Sequence, residues 1–170
     1  MSLPLINFST NAPPAAAEGE LEADPPRELN GGSACARKAA AAAGLLVRRE
    51  GTGEDLIAAR PFRPGEVVFE FLNVTWRPVR DRFTVEHPSG RHFFDPLLAR
   101  VSHSCDPNAR VSTKLMALVA RREIASGEVI TCDYLATETA IADPFVCRCC
   151  AAGCRGWIGD GADPSSPIEP

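Results

Sequence analysis

Short apolar runs separated by turn residues make up most of the chain from Leu45 onward. Three of these runs are LLVRRE, DLIAAR and EVVFEFLNV, and they are separated by GTG and RPG. Runs of this length bounded by glycine or proline are typical of strands. RFTVE and RHFFD flank HPSG, which predicts a hairpin with its turn at Ser89-Gly90. The pattern therefore predicts a mostly β domain with little helix.

The same pattern continues through the middle of the chain. DPLLARV predicts a single helical turn, and NARVS, LMALVARR and EVITCDYL predict strands, the last two joined by a turn at Ser126-Gly127. The region from Phe145 to Gly159 is rich in cysteine and glycine and has no period that would assign it to a helix or a strand.

The N-terminal part of the chain has a different composition. Residues 1 to about 32 are rich in Pro, Ala, Glu and Gly without an apolar period, which predicts a disordered tail. SACARKAAAAAG then predicts a short helix, with Ser33 as the N-cap and Gly44 as the stop. An alanine-rich linker is the alternative, because isolated helices this short are marginal.

Length, charge and hydropathy restrict the class of protein. A chain of 170 residues predicts one domain plus tails. The net charge of −4 argues against direct nucleic-acid binding and is compatible with a basic polypeptide partner, although it also suffices simply to keep the chain soluble. The chain lacks both a bilayer-spanning apolar run and a secretory signal. We therefore expect an intracellular protein, cytoplasmic or nuclear, with no membrane partner.

The cysteines predict a metal site. Four of the seven fall within eight residues, namely Cys147, Cys149, Cys150 and Cys154. In a chain without a signal peptide, such a cluster indicates metal binding before disulfides. A structural zinc needs four ligands, and the adjacent Cys149 and Cys150 do not easily reach the same ion. Cys105, in the turn-forming SHSCDPN, is the preferred fourth ligand. The alternative is a set of buried thiols packed as small apolar groups.

Four segments of the chain resemble, in order, those of the SET-domain protein-lysine methyltransferases. GTGEDLIAARPFRPGEVVFEF resembles the opening of that domain, SHSCDPN its Asn-His-Ser-Cys-x-Pro-Asn motif, ALVARREIASGEVITCDYL the segment that ends in Asp-Tyr, and FVCRCCAAGCRGWIG the post-SET cysteine motif. Together they cover residues 45 to about 159. The resemblance implies a fold of small curved β-sheets in which the Asp-Tyr segment threads beneath a loop near the His-Ser-Cys motif, followed by a zinc-binding post-SET loop.

The resemblance also implies the organisation and the partners of the chain. Residues 1–44 would be a disordered tail with a possible short helix, 45–140 the SET domain, 141–160 the post-SET zinc-binding segment and 161–170 a disordered tail. The implied activity is transfer of methyl groups from S-adenosylmethionine to a lysine side chain of a protein substrate. The implied structural zinc is bound by Cys105, Cys147, Cys149 and Cys154.

The resemblance places a cofactor pocket and a catalytic tyrosine. The cofactor-binding residues would be Gly51, Thr52, Gly53, Ser102, His103, Tyr134 and Phe145. Glycines at 51 and 53 allow the backbone to approach a ligand where a Cβ would clash. Tyr134 is the only tyrosine in the chain, and its hydroxyl would orient the amine and stabilise developing charge. A strand tyrosine buried for packing is the alternative.

Three residues depart from the family pattern. Phe71 stands where many members have tyrosine, Cys132 where they usually have phenylalanine or tyrosine, and Ser102 where they have asparagine. Phe71 and Cys132 are the predicted substrate-channel positions, so the amine site is either roomier or no longer suited to lysine. Two other functions therefore stay open: a degenerate SET scaffold that serves as a binding module, and a SET-like enzyme acting on a small molecule.

Overall fold

The computed structural model describes residues 32–50 and 53–161. Within these ranges the chain forms one α-helix and many short strands, as the apolar pattern predicts. The helix α1 spans Gly32–Ala42, and the strands are β1 Leu45–Glu50, β2 Gly53–Ala58, β3 Val67–Glu70, β4 Thr75–Arg77, β5 Thr84–Glu86, β6 His92–Phe94, β7 Ser102–His103, β8 Ala109–Ser112, β9 Ala117–Ala120, β10 Thr131–Cys132, β11 Phe145–Val146 and β12 Trp157–Ile158. No helix in the described ranges is long and apolar enough to span a membrane.

The strands form five small sheets. β1 and β2 form an antiparallel hairpin, and two three-stranded sheets have the orders β3-β9-β8 and β4-β6-β5. β11 and β12 pair with each other, and β7 pairs in parallel with β10. The predicted hairpin is confirmed as β5 and β6, with Gly90 at a φ of 77° in its turn. The predicted helical turn is confirmed as a 3-10 turn at Leu98–Arg100.

The helix α1 is part of the folded domain. Ala36 and Ala40 lie one turn apart on the same face, and both are buried in the core. Gly44 ends the helical segment at a φ of 73°, a conformation that favours glycine, so the predicted stop is confirmed. The predicted N-cap is wrong, because the helix already begins at Gly32 and Ser33 lies inside it. Residues 1–31 and 162–170 of the predicted tails lie outside the described ranges.

The prediction of a strand over EVITCDYL is only partly correct. The strand β10 contains Thr131 and Cys132 alone, and a 3-10 turn follows at Tyr134–Ala136. The turn at Ser126-Gly127 is present, but it does not make a hairpin, since β9 pairs with β3 and β8 while β10 pairs with β7. The apolar pattern indicated extended chain here without indicating its partner.

A buried asparagine explains why β10 lies beside β7. Asn108 is buried, and its side-chain oxygen accepts the N–H of Thr131 at 2.8 Å. Its amide nitrogen donates to the carbonyl of Val129 at 2.7 Å. These bonds replace the water that buried backbone groups would otherwise require. They hold the Asp-Tyr segment against the loop near the His-Ser-Cys motif, which is where the resemblance placed it.

Candidate active site and metal centre

An open cleft of about 530 Å³ is lined by residues from the whole length of the domain. Its lining includes residues 81–85, 98–103, 137–138 and 141–143. The volume falls within the range of small-molecule sites in proteins. Most of the residues predicted to bind a cofactor line this cleft, namely Gly53, Ser102, His103, Tyr134 and Phe145. Gly51 and Thr52 lie outside the described ranges.

The two predicted channel positions lie in different places. Cys132 lines the cleft, and its burial raises the pKa of the thiol to about 12, so the thiol stays neutral. Phe71 is only 5% exposed and does not contribute to the lining. Its ring packs 5.6 Å from the rings of Phe69 and Phe93 in the core. Phe71 therefore packs between β3 and β6, and its role as a channel position stays a prediction.

Three rings form the centre of the site. The ring of Tyr134 lies 5.2 Å from that of His103 and 6.1 Å from that of Phe145, and the His103 and Phe145 rings are 5.7 Å apart. All three pairs meet edge to face, an arrangement that is favourable for aromatic pairs. The cluster gives one side of the cleft an apolar surface with a single phenol group.

The Tyr134 hydroxyl is held in a fixed position. It donates a hydrogen bond to the carbonyl of Val101 at 2.7 Å. Burial raises the pKa of this phenol above its usual range, with a smaller contribution from Cys132. The group therefore remains protonated at neutral pH and cannot serve as a base. Its oxygen keeps lone pairs that can accept hydrogen bonds from another donor.

His103 connects the aromatic cluster to the cysteines. The backbone N–H of Tyr134, 31 residues away, donates to His103 Nδ1 at 3.2 Å, while Nε2 lies 3.5 Å from Cys105 Sγ. The side chain is 2% exposed, and its burial lowers the pKa of the imidazole. The ring is therefore neutral, and these partners assign its proton to Nε2, facing the sulfur.

Four cysteines converge as the spacing predicted. The sulfur atoms of Cys105, Cys147, Cys149 and Cys154 all lie within 4.8 Å of one another. Cys105 Sγ and Cys147 Sγ are 3.8 Å apart, which matches the ~3.8 Å edge of a tetrahedron with zinc–sulfur bonds of ~2.3 Å. Cys150 is exposed and remains outside the group. The donor set and its spacing fit a structural zinc ion.

Backbone groups around the cluster favour thiolates. The N–H groups of Cys105 and Ala151 lower the pKa of Cys149 to about 6. The N–H of Arg155 faces Cys105 Sγ at 3.4 Å. Burial raises the pKa of Cys147 in the absence of an ion, and a coordinated metal would reverse this because it deprotonates its thiol ligands.

A buried ion pair in the cleft was missed by the sequence analysis. Arg100 Nε donates to Glu54 Oε2 at 2.8 Å, and the Arg100 side chain is 6% exposed. Arg49 also donates to Glu54 at 3.3 Å. Burial alone would raise the pKa of Glu54, but the bonds from Arg100 and Arg49 outweigh it and lower that pKa. The available signal was an arginine inside the otherwise apolar segment LLARV.

Two segments that contribute to the cleft lining, residues 80–86 and 137–143, are joined by polar contacts that were also not predicted. Glu86 accepts hydrogen bonds from the N–H and the hydroxyl of Thr139 at 3.0 and 2.6 Å. In return, Glu138 accepts the N–H of Glu86 at 2.9 Å, and Arg80 donates to the carbonyl of Ala140 at 2.9 Å. These bonds hold residues 137–143 against β5, which is an edge strand of its sheet.

Comparison with known proteins finds matches to the region that contributes most of this site. The family model described as "SET domain" matches residues 53–135. Over 69 residues the chain is 41% identical to the histone-lysine N-methyltransferase Set2 of Drosophila melanogaster, and over 74 residues it is 34% identical to the histone-lysine N-methyltransferase ash1 of the same organism. These matches cover 37% and 40% of this chain and 3% of each relative, so the chain spans only a small part of their length.

Solved structures show the same fold. KRYPTONITE in complex with mCHG DNA and SAH superposes with a TM-score of 0.51, covering 66% of this chain and 28% of that one at 20% identity. Its complex with mCHH DNA, an H3(1-15) peptide and SAH gives a TM-score of 0.50 over 66% of this chain and 29% of that one, again at 20% identity.

Proposed function

We propose that this chain transfers methyl groups from S-adenosylmethionine to a lysine side chain of a protein, a proposal that the match of residues 53–135 to the SET-domain model supports. The single observation that carries this proposal is the cleft, in which Gly53, Ser102, His103, Tyr134 and Phe145 come together beside the cysteine cluster. Set2 and ash1 are both named as histone-lysine N-methyltransferases, which supports the same chemistry.

The residues of the cleft suit the groups that the cofactor would bring. When bound, S-adenosylmethionine supplies an electrophilic methyl group on a sulfonium. Glu54 and Arg100 offer charges of both signs for its ammonium and carboxylate ends. The ring of Phe145 offers an apolar face for the adenine.

Tyr134 would act on the lysine amine. Its fixed, protonated hydroxyl presents lone pairs to an amine N–H, which orients the nitrogen. A lysine must lose a proton before it can accept a methyl group, and the apolar surroundings formed by the three rings favour the neutral amine by desolvation. Cys132 adds a small neutral side chain, which leaves room beside the amine.

The proposed zinc has a structural role. Four cysteine ligands close the coordination sphere, so no position is left for a substrate. The ion would hold residues 145–159 against the rest of the domain, and these residues contribute Phe145 and Cys147 to the cleft.

The proposed substrate is a lysine in a basic protein, and a histone is the first to test. The net charge of −4 favours encounter with a basic chain. Such a substrate is consistent with a nuclear location, with a cytoplasmic one as the alternative. That the chain makes no direct contact with nucleic acid stays a prediction.

A zinc-stabilised binding module is the second candidate function. Two observations favour it: the Tyr134 hydroxyl already donates to Val101, and two segments that contribute to the cleft are bonded to each other through Glu86 and Thr139. Neither observation removes the capacity for catalysis, because hydrogen bonds of this kind can rearrange on binding.

Two measurements separate the candidates. Titration calorimetry with S-adenosylmethionine should show binding at one site per chain, and absence of binding would contradict both a methyltransferase and a cofactor-holding module. Transfer of radiolabelled methyl from S-adenosylmethionine to core histones, and separately to a mixed protein lysate, should label protein at lysine. Binding without transfer to any acceptor would favour the binding module.

A further inference from the structure

Besides His103, a second side chain links the cysteine cluster to the segment that bears Tyr134, namely that of Arg155. This residue directly follows the predicted ligand Cys154, and its backbone N–H faces Cys105 Sγ at 3.4 Å. Its guanidinium reaches the carboxylate of Asp133 with two hydrogen bonds, from Nη1 to Oδ1 at 3.0 Å and from Nη2 to Oδ2 at 2.8 Å. Bidentate pairs of this kind fix orientation as well as distance.

The carboxylate at the other end of this pair supports the turn that bears the tyrosine. Asp133 immediately precedes Tyr134, and its Oδ1 accepts the N–H of Leu135 at 3.2 Å, which caps the 3-10 turn. The same oxygen lies 3.8 Å from His103 Nδ1, the atom that accepts the Tyr134 N–H. A shift of Asp133 would therefore disturb the cap of the turn that bears Tyr134.

The segment of residues 145–159 is not joined to the other sheets of the described structure. Within the described ranges, β11 and β12 pair only with each other, so no sheet continues from residues 145–159 into the rest of the fold. The segment is held by the cysteine cluster, by the contacts of Phe145 with His103 and Tyr134, and by the pair between Arg155 and Asp133. Of these links, only the last is an ion pair, and it ends at the residue before Tyr134.

We propose that Arg155 is a positioning residue for Tyr134: it transmits the geometry of the metal-bound loop, through Asp133, to the turn that holds the phenol in the cleft. The proposal rests on the proposed function only in that Tyr134 is taken to contact the amine; the positional effect itself can be measured without catalysis. The Arg155 side chain is 43% exposed and that of Asp133 is 17% exposed, so we expect the pair to contribute little to the free energy of unfolding. Its expected effect is on the position of the turn that bears Tyr134.

The sole tyrosine provides a direct reporter of this effect. Biosynthetic incorporation of 3-fluorotyrosine places one fluorine-bearing side chain in the whole protein, at Tyr134, because the chain has no other tyrosine. We expect its ¹⁹F resonance in the zinc-loaded full chain to shift or broaden in Arg155→Gln, while zinc content stays at one ion per chain. Arg121→Gln, which removes the same charge from an exposed residue outside the cleft lining, should leave the resonance unchanged.

A double-mutant cycle tests whether the effect passes through Asp133. Asp133→Asn removes the charge but keeps an oxygen that can cap Leu135, so the turn can still form. If the pair transmits the effect, Arg155→Gln should change the ¹⁹F signal no further once Asp133→Asn is present. If Arg155→Gln loses zinc, Asp133→Asn alone still tests the proposal, because that variant keeps Arg155 and all four cysteine ligands.

A failure of this positioning role can be distinguished from a failure of the proposed methyltransferase function. A wild-type ¹⁹F signal in both Arg155→Gln and Asp133→Asn, with zinc retained, would overturn the positioning role whether or not the protein is an enzyme. In any methyl-transfer assay that works, Arg155→Gln should lower kcat by about tenfold or more and leave the KM for S-adenosylmethionine within about twofold, since a small displacement of a reacting group acts on the chemical step. Equal kcat would also contradict the proposal.

Discussion

Two regions of this molecule position the candidate site by different means. The sheet β3-β9-β8, together with the β1–β2 hairpin, is held by buried apolar side chains such as Leu45, Leu56 and Leu118. The segment from Phe145 to Ile158 has a single buried isoleucine and depends on cysteines and polar contacts. Both regions contribute to the cleft lining, the first through Gly53, Glu54 and Val111 and the second through Phe145 and Cys147 to Cys149. We therefore expect the complete site to depend on both apolar burial and metal coordination.

Removal of zinc should have the largest effect, and this effect should be confined to the second region. A chelator, or Cys105→Ser, should disorder residues 145–159 and leave the sheets largely intact, because metal binding is coupled to local folding. Limited proteolysis should then cut within that segment, while far-ultraviolet circular dichroism changes little. Cys150→Ser is the matched control, because its sulfur lies outside the cluster, and it should retain one zinc per chain. Full zinc occupancy in Cys105→Ser would show that the ligand assignment is wrong.

Truncation of the apolar core should instead lower the stability of the first region and leave zinc binding unchanged. Ile130 is fully buried, and Ile130→Ala should lower the free energy of unfolding by about 2–5 kcal/mol through lost burial and a residual cavity. Urea denaturation followed by tryptophan fluorescence measures the change. Zinc content below the transition should remain at one ion per chain. Ile141→Ala, at a partly exposed position, is the control and should cost clearly less.

Asn108 offers a sharper test, because it joins the two loops that the β7–β10 pairing brings together. Asn108→Ala should leave the N–H of Thr131 and the carbonyl of Val129 buried without their partner. The expected loss is about 1–3 kcal/mol of stability, with faster hydrogen exchange at residues 129–132. Asn108→Asp keeps the acceptor for Thr131, loses the donor to Val129 and Glu128, and places a carboxylate against that of Glu128, so it should also destabilise the fold. An unchanged midpoint in Asn108→Ala would argue that the asparagine does not hold the loops together.

The smallest expected effect concerns the hydrogen bonds between Thr139 and Glu86. Hydrogen bonds from Thr139 lower the pKa of Glu86, so the carboxylate stabilises the fold above its unfolded pKa. That contribution should disappear as the pH falls through the lower, folded pKa. The difference in urea midpoint between the wild type and Glu86→Gln should thus be present at pH 7 and shrink below about pH 4. A difference that grows on acidification would contradict the assigned direction.

The local parts of the structure could be predicted from the sequence. Apolar runs and turn residues identified β1, β2, β3 and the β5–β6 hairpin, because these features depend on period and on the conformational needs of residues such as Gly90. The cysteine spacing identified the four-sulfur cluster, and steric reasoning excluded Cys150. In each case the signal lies within a short stretch of chain or in rare residue types.

The remaining features depend on partners that are distant in sequence. The parallel pairing of β10 with β7 is fixed by Asn108, which no period reveals. Phe71 directly follows β3, and the packing of Phe69 and Phe93 around it shows that it points into the core. The charge pairs of the site, Arg100 with Glu54 and Arg155 with Asp133, join residues 46 and 22 positions apart.

Methyl transfer by Tyr134→Phe tests most directly whether the Tyr134 hydroxyl takes part in methylation of a lysine amine. The variant keeps the ring contacts with His103 and Phe145 and removes only the hydroxyl that Val101 holds in the cleft. Radiolabelled methyl transfer to a lysine-containing acceptor, with S-adenosylmethionine affinity measured in parallel, should show a rate reduced roughly a hundredfold or more at nearly unchanged affinity. Equal turnover by the wild type and the variant on every acceptor that is methylated would contradict the account.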